Sequence, residues 1–165
     1  MTGPNNPEFL SDEEAKVFAE ALFAEEEPTD VDKPFCRRNQ MFEVGSGILD
    51  LAQQQVGTVE SPPNSNRQKY GAWFGWNGVA WCNIFLSWLF WHVGSPFPAI
   101  QTAKGCAYVP AMVSAAIRYG QWRPVGTYTP KPGDMIIFKF TNRPDHIGIV
   151  KAVLPDGRIW TIEGN

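Results

Sequence analysis

The chain is short of the residues that metal centres and nucleic-acid interfaces require. It has two histidines and three cysteines among 165 residues, and none of them stand at the close, paired spacing of a zinc site. It has no Lys/Arg-rich run, and its formal net charge is -3, the wrong sign for neutralising phosphates. Residues 1–10 (MTGPNNPEFL) lack the basic start and apolar stretch of a secretory signal. The longest apolar run, Ile84–Val93, is broken by Ser87 and His92 and falls far short of the roughly 20 residues a membrane span needs. These absences predict a product made in the cytoplasm, with no membrane insertion and no nucleic-acid partner. Cys36, Cys82 and Cys106 are odd in number, so at least one is unpaired within the chain, and a cytoplasmic product keeps all three reduced.

Apolar side chains are plentiful. Hydrophobic residues make up 44% of the chain, enough for a real core. Seven tryptophans predict a large buried aromatic cluster, a surface for sugars or peptides, or both.

Ser11 and Glu14 form a capping-box pattern ahead of an apolar stripe, which predicts a helix from about Asp12 to Glu25. Glu25–Pro34 is acidic, carries two prolines and reads as a linker. Residues 1–44 are therefore expected to be an appendage, and residues 45–165 the domain proper. Within the domain a second helix is expected over Ser46–Gln55, stopped by Gly57. SPPNSN at 61–66 is a loop, and Tyr70–Gly78 is read as a Gly/aromatic loop leading into Cys82. A third helix, Cys82–Val93, is apolar nearly all round and should be the buried central one. A fourth starts near Pro110 and stops at Gly120. The period then changes: Asp134–Phe140, His146–Leu154 and Arg158–Glu163 are β-rich and of strand length. Helices followed by an antiparallel sheet make an α+β fold.

Cys82 stands where a Gly-rich loop becomes a helix. The positive end of the helix dipole and its free N–H groups favour a thiolate there and can stabilise an oxyanion. The competing reading is a small buried hydrophobe, a common fate of a cysteine. Cys36 and Cys106, without such a setting, read as structural. His92 lies ten residues along the same helix, about 15 Å away at 1.5 Å per residue, too far to act as a base. His146, opening the strand HIGIV, is left. Gly148 shares its face and would let a neighbouring element come close. Glu163 and Asn165 are the candidates for a third group, and pairing parity decides whether either shares a face with His146.

GVAWCNIFLSW, KPGDMIIF, DHIGIV and TIEGN, preceded by VGTVESPPNSNRQKYGAWFG, stand in an order and at separations that resemble the CHAP family. This family comprises cysteine- and histidine-dependent amidohydrolases and peptidases of phage endolysins and bacterial wall hydrolases. The resemblance covers about residues 47–165. It implies a papain-like fold, with Cys82 as nucleophile, His146 as base, Glu163 orienting the imidazole and Asn165 a further polar contributor. It also implies peptidoglycan as partner, no cofactor, a monomer, and action at the cell wall after release by another factor. The bond is left open between an N-acetylmuramoyl-L-alanine amidase and an endopeptidase. Tyr70, Trp73, Trp76 and Trp81 are expected to line the cleft floor.

Two departures stand out. Some members carry an Asp-rich calcium loop before the nucleophile, but Trp73–Trp81 holds no carboxylate, so no metal is expected. Related domains also continue into further strands, so a domain truncated at its C-terminus, or one module of a longer protein, is expected. The rival class is a non-catalytic wall-binding module that keeps the fold. The assignment of Glu163 asks for Glu163 opposite Gly148 or Val150, through a four- or a two-residue loop or an equivalent bulge. The four-residue loop, Leu154–Gly157, is expected, because it sets Glu163 diagonal to His146. Pro155-Asp156-Gly157 also suits a three-residue loop with a Gly bulge, which would need a further bulge to restore the parity.

Overall fold

A computed structural model gives the fold of residues 40–165, with side chains from residue 47. The helix expected over Asp12–Glu25, the linker Glu25–Pro34 and Cys36 lie outside the described residues. The order of elements is α1 (Gln40–Gln55), α2 (Lys69–Phe74), α3 (Cys82–His92), α4 (Val109–Arg118), β1 (Met135–Phe138), β2 (His146–Val153) and β3 (Ile159–Glu163). The strands form an antiparallel sheet in the order β1-β2-β3. This is the expected α+β sequence of layers.

The core is built around α3. Its Ile84, Leu86 and Leu89 are fully buried, and α1 contributes Ile48 and Ala52, α2 Tyr70 and Phe74, α4 Met112 and Ala115. Ile147 and Ile149 of β2 and Ile162 of β3 close it from the sheet side. Each such aliphatic side chain contributes about 1.5–3 kcal/mol on burial. Ser87, a polar residue inside this helix, is satisfied by the backbone of Cys106: its hydroxyl donates to the carbonyl (2.9 Å) and accepts from the N–H (3.1 Å). Among the described residues, no helix is long and apolar enough to cross a membrane.

Two elements differ from expectation. α1 begins at Gln40 and runs through Gly45 and Gly47, so a helix crosses the expected boundary between residues 44 and 45. The Gly/aromatic stretch after Gln68 is not a loop at first but the short helix α2. Gln68 caps it, its Oε1 accepting from the N–H groups of Tyr70 (2.6 Å) and Gly71 (2.8 Å). Gln is outside the usual set of capping residues, and Gly71 reads as a breaker. Gly71 is needed because a Cβ there would meet Asn77 Oδ1 at 2.9 Å and the Trp76 carbonyl at 3.0 Å.

The β2–β3 hairpin reaches the expected pairing of Gly148 with Glu163 by the three-residue loop and a further bulge, not by the four-residue loop. The Leu154 N–H donates to the Arg158 carbonyl (2.8 Å), so the loop is the three residues Pro155-Asp156-Gly157, with Gly157 left-handed at φ 84°. The four-residue loop is therefore absent. A register shift between Val150 and Ala152 then leaves Lys151 as an extra residue on β2, and the exposed Lys151 ammonium donates to Gln53 Oε1 of α1 (2.7 Å). Beyond this bulge Gly148 pairs with Glu163 and Val150 with Thr161. One bulge reverses the parity set by an odd loop.

Candidate active site

The bulge places Glu163 on the face of His146. Its carboxylate Oε2 accepts a hydrogen bond from His146 Nε2 at 2.7 Å, and its Oε1 accepts one from the Thr161 hydroxyl. The contact is diagonal, because His146 is one pair beyond Gly148, and it crosses bare backbone. A Cβ on Gly148 would stand 2.6 Å from Glu163 Cγ, so a glycine is required for the carboxylate to lie where it does.

The next two residues turn to the other partner. A Cβ on Gly164 would meet the Trp81 ring at 2.8 Å and Phe85 Cβ at 2.9 Å, so the chain after β3 lies directly against the first turn of α3. Asn165, left-handed at φ 82°, accepts from the Trp81 N–H through Oδ1 at 3.1 Å. Trp81 is the N-cap residue of α3 and Cys82 its first residue. Three successive residues, Glu163-Gly164-Asn165, thus hold His146 on one side and the helix start bearing Cys82 on the other. Asn165 reaches Trp81, although in a continued ladder it would lie opposite His146.

Cys82 is buried. Trp81 offers no side-chain cap to the helix, and the positive end of the helix dipole falls at this thiol. Cys82 and Cys106 are not joined in a disulfide. Burial pushes the Cys106 thiol well above its ordinary value, so it stays protonated, and it donates to the Tyr108 carbonyl and to Gln101 Oε1. Asn83, adjacent to Cys82, is fully buried, and its amide atoms have no hydrogen-bond partner.

The four expected aromatic residues do not form one floor. Tyr70 and Trp81 are buried in the core, and both border a cleft of about 250 Å³ that Phe85 and Glu163 also line. Trp73 and Trp76 do not reach it. Trp73 packs on Trp91 and His92 at the far end of α3, with ring centroids 5.8 Å away in each case, and Trp76 packs on Phe74 at 5.4 Å. Helix α2 is the reason: its period turns Tyr70 and Phe74 inward and sends Trp73 to another flank. His92 Nδ1 donates to the Trp88 carbonyl (2.8 Å), a bond to its own helix.

Glu60 has a role that the sequence does not reveal. Its Oε1 accepts from the Trp81 indole N–H (3.0 Å) and its Oε2 from the Asn66 N–H (2.8 Å). These bonds, the indole's first, hold the Glu60 carboxyl below its ordinary value. Trp81 is therefore fixed at its indole by Glu60, beneath its ring by Gly164 and at its backbone by Asn165. No spacing rule links a loop glutamate to a tryptophan 21 positions on, so only the folded chain reveals the clamp.

Comparison with family models gives a CHAP domain over residues 73–165, more than half of the chain. The chain belongs to the CHAP-domain family. Members of that family are in general cysteine- and histidine-dependent amidohydrolases or peptidases, and the CHAP match places this chain among peptidoglycan-hydrolase-type modules. The matched span holds the whole sheet, α3 and α4, while α1 and Glu60 precede it. Neither comparison with curated proteins nor comparison with solved structures returned a match.

Proposed function

We propose that this CHAP domain hydrolyses an amide bond of bacterial peptidoglycan through a thioester on Cys82, in a papain-like arrangement with His146 as general base and Glu163 as its orienting carboxylate. The observation that carries this reading is the tripeptide Glu163-Gly164-Asn165, which binds the imidazole with its first residue and the start of the Cys82 helix with its other two. With Nε2 engaged by Glu163, Nδ1 is the ring nitrogen left to exchange a proton with the thiol.

In the first step His146 takes the Cys82 proton and the thiolate attacks the carbonyl carbon. The negative charge on the oxygen is met by the first-turn N–H groups of α3. The C–N bond then breaks, and His146 returns its proton to the departing amine. Water, activated by the same imidazole, cleaves the thioester and restores the thiol. Glu163 keeps the ring oriented and stabilises it while charged. Asn165 acts through Trp81, not on the imidazole. The setting of this chemistry is a phage endolysin or a related wall hydrolase, acting as a monomer on the wall.

The test is digestion of purified cell walls by the full chain. Cys82→Ala should abolish release of muropeptides with the fold intact by circular dichroism, while Cys106→Ser should keep most of the activity. Mass spectrometry of the fragments names the bond, amidase or endopeptidase. A folded Cys82→Ala protein that still solubilises walls would remove the thioester mechanism, whereas a wild-type chain that binds walls and releases no muropeptides would favour the non-catalytic class.

A further inference from the structure

The imidazole of His146 has two flanks. On the β3 side it meets Glu163. On the β1 side it meets two phenylalanines: Phe138, its direct partner in the ladder, with ring centroids 5.7 Å apart, and Phe140 at 6.1 Å. The two phenyl rings are nearly parallel, 6° between planes and 5.7 Å apart, and both are tilted about 35° to the imidazole. Phe140 is 75% exposed, yet its backbone is held. Its N–H donates to Asp145 Oδ1 at 2.9 Å, and the Asp145 N–H donates to the Phe138 carbonyl at 3.2 Å. Asp145 directly precedes His146, so the residue that fixes the phenylalanine also fixes the start of β2. Phe140 is thus an apolar ring held at the surface beside the imidazole.

The proposed reaction says which part of the substrate passes there. The acyl carbon ends on Cys82 Sγ, and the departing nitrogen must receive its proton from His146. The amine half of the substrate therefore continues past the imidazole, away from Cys82. Of the two flanks, the Glu163 carboxylate already has one oxygen on His146 and the other on Thr161. The remaining flank is apolar. We propose that Phe138 and Phe140 form the leaving-group subsite, selecting amines whose substituent presents an aliphatic or C–H-rich face. This rests on the thioester reading above and assigns a specificity role to two residues which that reading leaves idle.

Acyl transfer run in reverse tests it. In that step an added amine attacks the thioester, a C–N bond forms and the C–S bond breaks. The amine's proton passes through His146 to the Cys82 thiolate. Cell walls are digested in the presence of equal leucinamide and glycinamide, and the two capped products are compared by mass spectrometry. Wild type should favour leucinamide, and Phe140→Ala should reduce that preference about tenfold, the order expected for one lost apolar contact in a pocket, with Phe140→Leu intermediate. Because Phe140 is so exposed, its replacement should leave the fold unchanged. An unchanged ratio in Phe140→Ala, or no capture of either amine by an enzyme that still needs Cys82, overturns the subsite. Wall digestion that survives Cys82→Ala overturns the thioester reading instead, and the subsite with it.

Discussion

The two ends of α3 each carry a reactive group, Cys82 at the start and His92 at the finish, and they are built differently. The start is assembled from remote segments: Glu60 from the loop after α1, and Gly164 and Asn165 from the end of β3. The finish is mostly self-contained. His92 bonds the carbonyl of Trp88 one turn back and packs on that residue's ring, with Trp73 alongside. A group satisfied within its own helix has little left to offer a substrate. A group whose surroundings converge from three parts of the chain is held for a purpose that local structure does not require.

The largest expected effect separates the two histidines. His146→Ala should lower wall digestion about 100-fold or more, the usual contribution of a positioned general base. His92→Ala should change the rate by no more than about twofold and act, if at all, on thermal stability through the lost cap. Equal losses in turbidity-clearing assays would break the comparison, because the two helix ends would then be equivalent.

A smaller effect sharpens it. Gly148→Ala puts a methyl 2.6 Å from Glu163 Cγ, so the carboxylate must leave the imidazole or the strands must part. Expected is a loss of kcat of about tenfold or more, with destabilisation of about 1–3 kcal/mol from overpacking. Gly47→Ala, at a helical glycine with nothing within 4 Å of an added Cβ, is the control: it should leave kcat as in wild type and raise stability by about 0.5–1 kcal/mol.

The smallest expected effect concerns acid. The Glu60 carboxyl is held below its ordinary value in the folded chain, chiefly by the Trp81 indole and then by the Asn66 N–H. A depressed carboxyl adds stability that is fully present above its unfolded value and is lost as pH falls through its folded one. Glu60→Gln should therefore lower Tm near neutral pH and flatten its decline on the acid side of the usual carboxylate range. A Tm–pH curve parallel to that of wild type would show that the charge on Glu60 contributes nothing to holding Trp81.

The helix that starts at Cys82, the three strands and the face shared by His146 and Gly148 are legible in the sequence because each rests on a local period or a loop-to-helix junction. Partner choice at the end of β3 is not. Whether Glu163 faced His146 depended on a bulge at Lys151, and nothing in HIGIVKAV marks that residue as the one to be squeezed out. Asn165 was placed beside the base by the same ladder, but the ladder ends at Glu163 and a left-handed turn carries Asn165 to Trp81. Of the four aromatic residues, Tyr70 and Trp81 border the cleft, while Trp73 is turned away by α2, whose glutamine cap is not a usual helix signal, and Trp76 packs on Phe74. Glu60, Phe138 and Phe140 carry no sequence signal, because their contacts run across strands and loops.

The bulge has a consequence for how the hairpin can vary. With Lys151 absorbing one residue, the pairing of Gly148 with Glu163 is insulated from the three-residue tip. Lengthening Pro155–Gly157 by two residues preserves the phase at the imidazole, whereas lengthening it by one inverts that phase unless the bulge is given up at the same time. Lys151 thus works as a gear between a tip free to diverge and an imidazole–carboxylate contact that is not, and the tip offers an insertion point for a grafted peptide at the far end of the hairpin from His146 and Glu163.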